Sequence, residues 1–470
     1  MSWFSRIFSH RRAGDLEEGD LGAENGIWVG KAEGGQGPSR TARATLLPRF
    51  NGTASDQPRY DRRSPLDLAR FRLRDAFTPS HPIVQPEMFA GRSKVLQTLI
   101  RAIEDQRLHV IMYGERGIGK TSLLHILARL AQDSKYIVRY TSCGEEADFN
   151  TIFRAILRDI PALYHKDIAP TSHEIESGRT FEDLAGPEML TVPQVSDMLA
   201  CIAKTRVLII LDEFDRAQGQ TFQRAIAELI KNLSDRSVRA QLLVAGVAAN
   251  LTDLLEHIPS IRRNILGLQI PSMEDDEVHE LILNGQRICG LKYEPDVVSL
   301  ISSIACGSPY IASLISQYAG LVAIDRNSPG VTKADVIEAI TQSLDEIRNR
   351  VQATVLFKVA EAQAEGWGGI LGLMACAVLG TGGRILPSDF IKIADSEGRS
   401  DSKMDELNTR FGLIAPISGD PTGAYRFCED GLPGFLWMEY AEHRFTGAKN
   451  TAPAAEPWRL ASRIGNQQES

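Results

Sequence analysis

The run Gly114-Glu115-Arg116-Gly117-Ile118-Gly119-Lys120-Thr121 constrains this chain more than any other stretch. It is a complete G-x-x-x-x-G-K-[ST] pattern, with an apolar run before it (residues 108–113) and an amphipathic stretch after it (residues 121–130). Glycines at this spacing let the backbone curl until consecutive N–H groups point at phosphate oxygens. A helix opening at Lys120 adds its N-terminal partial positive charge. In such a loop Lys120 reaches the β- and γ-phosphates and the Thr121 hydroxyl ligates Mg²⁺. Ser122 then falls beside the α-phosphate. Gly114 to Ser122, with Glu115, Arg116 and Ile118 between the glycines, are therefore the candidate nucleotide-binding residues.

A second run completes the chemistry. Residues 207–211 are Val-Leu-Ile-Ile-Leu, followed by Asp212 and Glu213. A buried strand that ends in two acids presents them at the C-terminal sheet edge, where ligands sit in open α/β folds. Asp212 is expected to hold Mg²⁺ through water, and Glu213 to polarise the attacking water. A Glu directly after the Asp indicates competence for hydrolysis. Asp215 either joins the metal network or caps the following helix.

At 470 residues the chain has room for roughly three domains. Five apolar runs, at residues 108–113, 136–141, 207–211, 241–247 and 265–270, read as strands covered on both faces. Helical patterns at 121–130, 149–160 and 222–233 separate them, and residues 161–191 read as an irregular insertion. Residues 76–271 are thus an α/β domain with a parallel sheet. Helical patterns at 275–288, 295–306, 309–323 and 333–362 predict an all-α lid over residues 272–350. Residues 351–445 continue with a linker helix, a buried helix at 370–379, two further helical stretches and two β-type runs. That is the order of a winged helix. Nine of the 39 glycines lie in the first 60 residues, about twice an even share, so residues 1–75 read as a disordered tail. Residues 446–470, polar and rich in Pro and Ala, read likewise.

Charge and cysteine usage narrow the partners. The chain carries 52 Lys+Arg against 60 Asp+Glu, a net charge of −8, which argues against a basic coat for nucleic acid. The six cysteines include no C-x-x-C pair and read as buried free thiols in a reducing cytoplasm. Residues 366–383 are uncharged, but the apolar centre is only about half of the roughly 20 residues a membrane span requires. They read as a buried core helix. Trp3, Phe4, Ile7 and Phe8 beside Arg6, Arg11 and Arg12 form either a short interfacial anchor or, by preference, a disordered start or a docking peptide. No membrane association is expected.

Together these motifs make residues 77–350 resemble the AAA+/STAND region of ASCE P-loop ATPases, nearest the origin-recognition/initiator-like ATP-binding proteins of bacteria and archaea. The resemblance rests on Phe89-Ala90-Gly91-Arg92, GERGIGKTS, LIILDEFD, VAGVAANLTDLL and PSIRRN. It implies a five-stranded sheet ordered 5-1-4-3-2, ATP with Mg²⁺, and hydrolysis to ADP and phosphate. Adenine comes from the resemblance, since no guanine-specific N-K-x-D occurs. Phe89–Arg92 would cup the base, or simply turn into the next helix. Asn250 stands where sensor 1 aligns the attacking water, and is an equally good helix N-cap. Arg263, preferred over Arg262, stands where an arginine finger reaches a neighbour's γ-phosphate, the other readings being a surface charge or an intramolecular salt bridge.

One departure matters. The sensor 2 position reads Gly307-Ser308-Pro309-Tyr310-Ile311-Ala312, without arginine. The G-x-P there resembles STAND ATPases, whose proline, here Pro309, packs near the nucleotide in slow ADP/ATP switches. Residues 380–442 hold six Lys/Arg against eleven Asp/Glu, a poor composition for gripping duplex DNA. The expected function is a slowly hydrolysing ATP switch of conformation or oligomeric state, with an unknown protein partner. The alternatives are an initiator- or transposition-regulator-like ATPase whose winged helix binds duplex, and a nucleotide-gated scaffold.

Overall fold

The structure, a computed structural model, describes residues 64–84, 86–168, 178–217, 219–236, 238–247, 263–381, 383–417 and 420–447. Five parallel strands form the central sheet: β1 (His109–Tyr113), β2 (Ile137–Ser142), β3 (Val207–Asp212), β4 (Ala240–Gly246) and β5 (Ile265–Gln269). Their order is β2-β3-β4-β1-β5, the expected 5-1-4-3-2 read from the other edge. Every residue of β3 is buried, because helices cover both faces of a parallel sheet. One face packs Leu99, Leu123 and Leu127 onto Val110, Leu208 and Leu243. The other packs Phe153, Val195, Leu199 and Ile226 onto Ile111, Ile209 and Leu242. The sheet alternates its inward residues between these two layers, as a strand period of two requires.

A helix stands at the front of the described residues, where the composition points to a tail. Pro65–Ala76 is helical, with Ser64 accepting the Asp67 N–H and proline at the first position. Its charges (Asp67, Arg70, Arg72, Arg74, Asp75) mask an apolar face of Ala69, Leu73 and the capping Phe77, all buried. That face packs into the lid, where Gln317 Nε2 donates to the Phe77 carbonyl at 2.8 Å and Arg70 pairs with Asp325.

The lid comprises Asp275–Cys289, Pro295–Ala305, Pro309–Asp325 and Lys333–Arg348. The single helix expected over 333–362 is in fact two, Lys333–Arg348 and Ala353–Ala364. Between them Val351 turns into the core, and the Gln352 N–H is taken by Glu429 Oε1 at 2.9 Å.

The apolar stretch folds as Gly368–Thr381, a helix with Ile370, Leu371, Leu373, Met374 and Ala375 all buried. Among the described residues no helix is long and apolar enough to cross a membrane. Pro387–Ser396, Met404–Thr409 and the antiparallel pair Ile414–Pro416 and Tyr425–Phe427 follow, with Ile385 bridging Tyr425 as a third strand position. A last helix, Leu432–Gly447, has no counterpart in the sequence reading. It lies directly on Gly368–Thr381, where a Cβ at Gly372 would fall 2.5 Å from Tyr440 Cβ, so glycine is required at that crossing.

A single apolar core runs from Leu73 and Phe77 through Ile301 and Ile315 to Trp367, Leu371 and Trp437. The lid and the C-terminal elements are therefore packed as one body. The cysteines are not uniformly buried as expected. Cys143, Cys289 and Cys376 are buried, Cys201 and Cys306 are half-buried, and Cys428 is exposed.

His109 opens β1 and is 3% exposed, its Nδ1 accepting the Leu242 N–H at 3.0 Å. Burial lowers its pKa to about 4 from 6.5. The unfolded chain therefore takes up a proton that the folded chain refuses, and stability is lost as pH falls from 6.5 toward 4. Between about pH 6.5 and about pH 5 this loss should approach roughly 2 kcal/mol, at about 1.4 kcal/mol per pH unit. Urea midpoints of wild type and His109→Gln, which keeps an acceptor, should converge over that range.

Candidate nucleotide site

The phosphate loop leaves β1 and enters the helix Lys120–Asp133. Gly117 and Gly119 take φ +76° and +89°, values open to glycine and costly for other residues. Ile118 is buried beneath the loop. Lys120 Nζ donates to the carbonyls of Gly114 (2.6 Å) and Glu115 (2.9 Å). Burial lowers the Lys120 ammonium pKa against the opposing pull of Asp215, Glu115 and Asp212. An anion in the loop would hold the charge in place. Ser122 Oγ accepts the Ile83 N–H at 3.0 Å, so its hydroxyl ties the preceding segment to the loop.

Asp212 ends β3 with 2% exposure. Its Oδ2 accepts from Thr121 Oγ1 at 2.9 Å and from Tyr140 Oη at 2.6 Å, and its Oδ1 accepts the Glu213 N–H at 2.8 Å. Thr121 and Asp212, predicted from motifs 91 residues apart, are thus in direct contact. Hydroxyl and carboxylate oxygen form the hard donor set that suits Mg²⁺ beside phosphates, so the residues fit that ion.

Glu213 follows in the left-handed region, φ +52°. This turns its carboxylate toward Ser142 Oγ (2.9 Å) and Arg216 Nη1 (3.0 Å). Against the upward pull of burial, these two bonds hold the carboxyl below its ordinary range. It is a charged, half-exposed base at the mouth of the site. Asp215 Oδ1 instead accepts the Val247 N–H at 3.2 Å, tying the acidic turn to the end of β4.

Arg92 and the lid cover the loop. The Arg92 guanidinium is buried, and Nη2 donates to the Pro271 carbonyl at 3.0 Å. Burial lowers its pKa to about 10, partly offset by Glu277. A Cβ at Gly119 would lie 3.3 Å from Arg92 Nη1 and 3.6 Å from Pro309 Cγ. One at Gly117 would lie 3.4 Å from Tyr310 Cβ. The G-x-P turn therefore sits on the phosphate loop. Arg263 is exposed just ahead of β5, and Asn250 and Arg262 lie outside the described residues.

Three contributors belong to no motif. Tyr140 and Ser142 alternate along β2 and bind the two acids of the neighbouring strand; the signal was polar residues at the C-terminal end of an apolar run. Asp430 lies beyond the hairpin and pairs with Arg116 at 3.2 Å, a contact no local pattern announces.

A parallel sheet in this order, with the phosphate loop after β1 and the acid pair after β3, defines a P-loop NTPase of the AAA+/STAND kind. The novel STAND NTPase 1 family model matches residues 76–318, and the chain belongs to that family. No curated protein matches the sequence. Among solved structures the chain is similar to Cdc6p from Pyrobaculum aerophilum, with 14% identity and TM-score 0.41 over 79% of this chain and 98% of that one. It is also similar to the Aeropyrum pernix ORC1 protein in complex with DNA (15% identity, TM-score 0.42, 80% and 96% covered). A third is the Thermotoga maritima RuvB Holliday junction branch migration motor (15% identity, TM-score 0.40, 79% and 98% covered).

Lys120→Ala removes the cation that the loop holds ready. Titration with a fluorescent nucleotide should show affinity reduced roughly ten- to hundredfold, the scale of about 1.5–3 kcal/mol for a charged hydrogen bond. Unchanged affinity would remove Lys120 from the site.

Proposed function

We propose that the chain is an ATP-binding and ATP-hydrolysing switch whose C-terminal winged-helix-like module latches onto the phosphate loop. The observation that carries this is the pairing of Arg116 with Asp430 at 3.2 Å. It is backed by Gly383 (φ +87°), where a Cβ would collide with the Glu115 carboxylate. Glu115 and Arg116 are the first two of the four unspecified positions of the G-x-x-x-x-G-K-[ST] loop, so the C-terminal module touches residues that bound phosphates would disturb. Both side chains of the ion pair are more than half exposed, which makes it weak and reversible, as a switch needs.

The roles follow. Gly114 to Ser122 bind the nucleotide, with Lys120 on the β- and γ-phosphates. Thr121 and Asp212 hold Mg²⁺, which would neutralise phosphate charge, and Glu213 orients and polarises the attacking water. Pro309 lies against the loop from the lid. Asn250 and Arg263 are proposed for water alignment and for reaching a neighbouring subunit's γ-phosphate.

A protein-contact role is favoured for the C-terminal module over duplex binding. Four of its cations are engaged within the chain: Arg384 with Asp420, Lys392 with Asp389, Arg410 with Glu365, and Arg399 with the Glu365 carbonyl and the Trp367 ring. The short helix Met404–Thr409 brings Asp405 and Glu406, which would repel phosphate.

Asp430→Ala opens the latch without touching the loop itself. Nucleotide release and ATP turnover should both rise several-fold; unchanged rates would refute the latch. Glu213→Gln should bind ATP while losing turnover roughly hundred- to ten-thousand-fold, the usual contribution of a general base. Its size by light scattering should grow with ATP and not with ADP. A monomer in both states would defeat the oligomeric part of the proposal.

A further inference from the structure

The lid meets the C-terminal module at two sulfurs. Cys306 Sγ and Cys376 Sγ lie 2.8 Å apart although 70 residues separate them in sequence. Cys306 closes the helix Pro295–Ala305 in the left-handed region, φ +46°, and Gly307 follows at φ +75°. Two such residues in succession make a tight turn, costly for a residue with a Cβ unless its surroundings hold it. That turn delivers Pro309 and Tyr310 to the phosphate loop. Cys376 lies mid-way along the buried helix Gly368–Thr381.

Hydrogen bonds fasten the same interface on either side of the sulfurs. Trp437 Nε1 donates to the Ile304 carbonyl at 2.6 Å, and Ser272 Oγ donates to the Leu379 carbonyl at 2.8 Å. The two thiols are therefore held together by elements that are themselves pinned. A disulfide bond of about 2.05 Å needs the sulfurs to approach by less than about 1 Å.

We propose that Cys306 and Cys376 form a reversible disulfide that staples the turn leading into Pro309 to the buried helix Gly368–Thr381 and so fixes the position of that turn on the phosphate loop. The oxidant is a low-molecular-weight disulfide. Cys306, the half-buried member, attacks it as a thiolate, forming a mixed disulfide and releasing one small thiolate. The Cys376 thiolate then attacks the Cys306 sulfur of that mixed disulfide, forming the Cys306–Cys376 bond and expelling the second small thiolate. The two cysteines lose two electrons, the small disulfide gains them, and the two cysteine protons pass to the departing thiolates. Burial, the Cys376 sulfur and Asp275 push the Cys306 thiol well above its usual range, so the reaction should be slow at neutral pH and accelerate as pH rises.

The test uses the full chain treated with oxidised glutathione, quenched in acid, unfolded, alkylated and digested. Mass spectrometry should find a linked peptide pair joining Cys306 to Cys376, lost on treatment with dithiothreitol. Cys376→Ser should instead carry glutathione on Cys306. Full alkylation of both thiols in the treated wild type, or linkage of either to another cysteine, overturns the proposal, and neither result depends on how the variant folds. In the cross-linked chain, release of a fluorescent ADP analogue should slow several-fold and recover on reduction. An unchanged rate in a fully cross-linked sample overturns the role given to the turn. This second readout rests on the switch reading above and the cross-link does not, so the two failures are distinguishable.

Discussion

The Asp212 carboxylate is the point on which the site is built. It is nearly sealed from water, and an ion there is tolerated because three donors converge on it. The Thr121 hydroxyl comes from the phosphate-loop helix, the Tyr140 hydroxyl from β2, and the N–H from Glu213 itself. One residue thus joins the loop after β1 to the acidic turn after β3, across the intervening strand β4. The Tyr140 ring is in turn stacked on His125 of the phosphate-loop helix, with centroids 4.6 Å apart. The register of β2 on β3, with Ser142 opposite Asp212, then delivers Ser142 to Glu213. The geometry of the acid pair is a consequence of strand order and not of loop flexibility.

A second constraint acts on the rest of the molecule. The N-terminal helix, the lid and the C-terminal elements share one apolar core, so parting them would expose Trp437, Leu371 and Ile301 together. At about 25 cal/mol per Å² of apolar surface, such exposure outweighs any surface ion pair. Motion of the C-terminal module relative to the phosphate loop is easiest where the contacts are few and polar, as at Arg116–Asp430. The charge of −8 also has a local meaning here: Arg384, Lys392 and Arg410 spend their charge on nearby acids, and Arg399 donates to a carbonyl.

The sheet and the phosphate site were legible because their signals are local. Strands buried on both faces read as unbroken apolar runs, and the loop needs glycine at fixed spacing before Lys120. Pro309 was legible through its G-x-P context and does lie on the loop. The helix Pro65–Ala76 was not, because its apolar positions are diluted by arginines and stabilised only by the lid it packs on. Leu432–Gly447 was hidden for the opposite reason: it opens with Pro-Gly and is apolar around most of its circumference, which erases the helical period. The break at Val351 depends on Glu429 capping Gln352 from a distant segment, and the meeting of Cys306 with Cys376 is wholly tertiary. Asn250 and Arg262 lie outside the described residues, and Arg263 is described only as exposed ahead of β5.

Lys120 shows how nucleotide state could reach the C-terminal module without a long relay. Its ammonium rests on the carbonyls of Gly114 and Glu115, groups with only partial negative charge. Phosphate oxygens are stronger acceptors, so a bound nucleotide would draw Nζ away and leave those carbonyls to reorient. Glu115 carries the consequence, because its side chain abuts Gly383 and its carboxyl is raised by desolvation, and further by Asp430 against the pull of Lys120 and Arg426. A carboxylate packed against a bare glycine backbone has no slack on that side. Any turn of the Glu115 backbone must therefore push on the segment that Gly383 begins or break away from it. In the proposed switch Glu115 and Arg116 would both flank the phosphates and hold the module, so that coupling would need no element outside the loop itself.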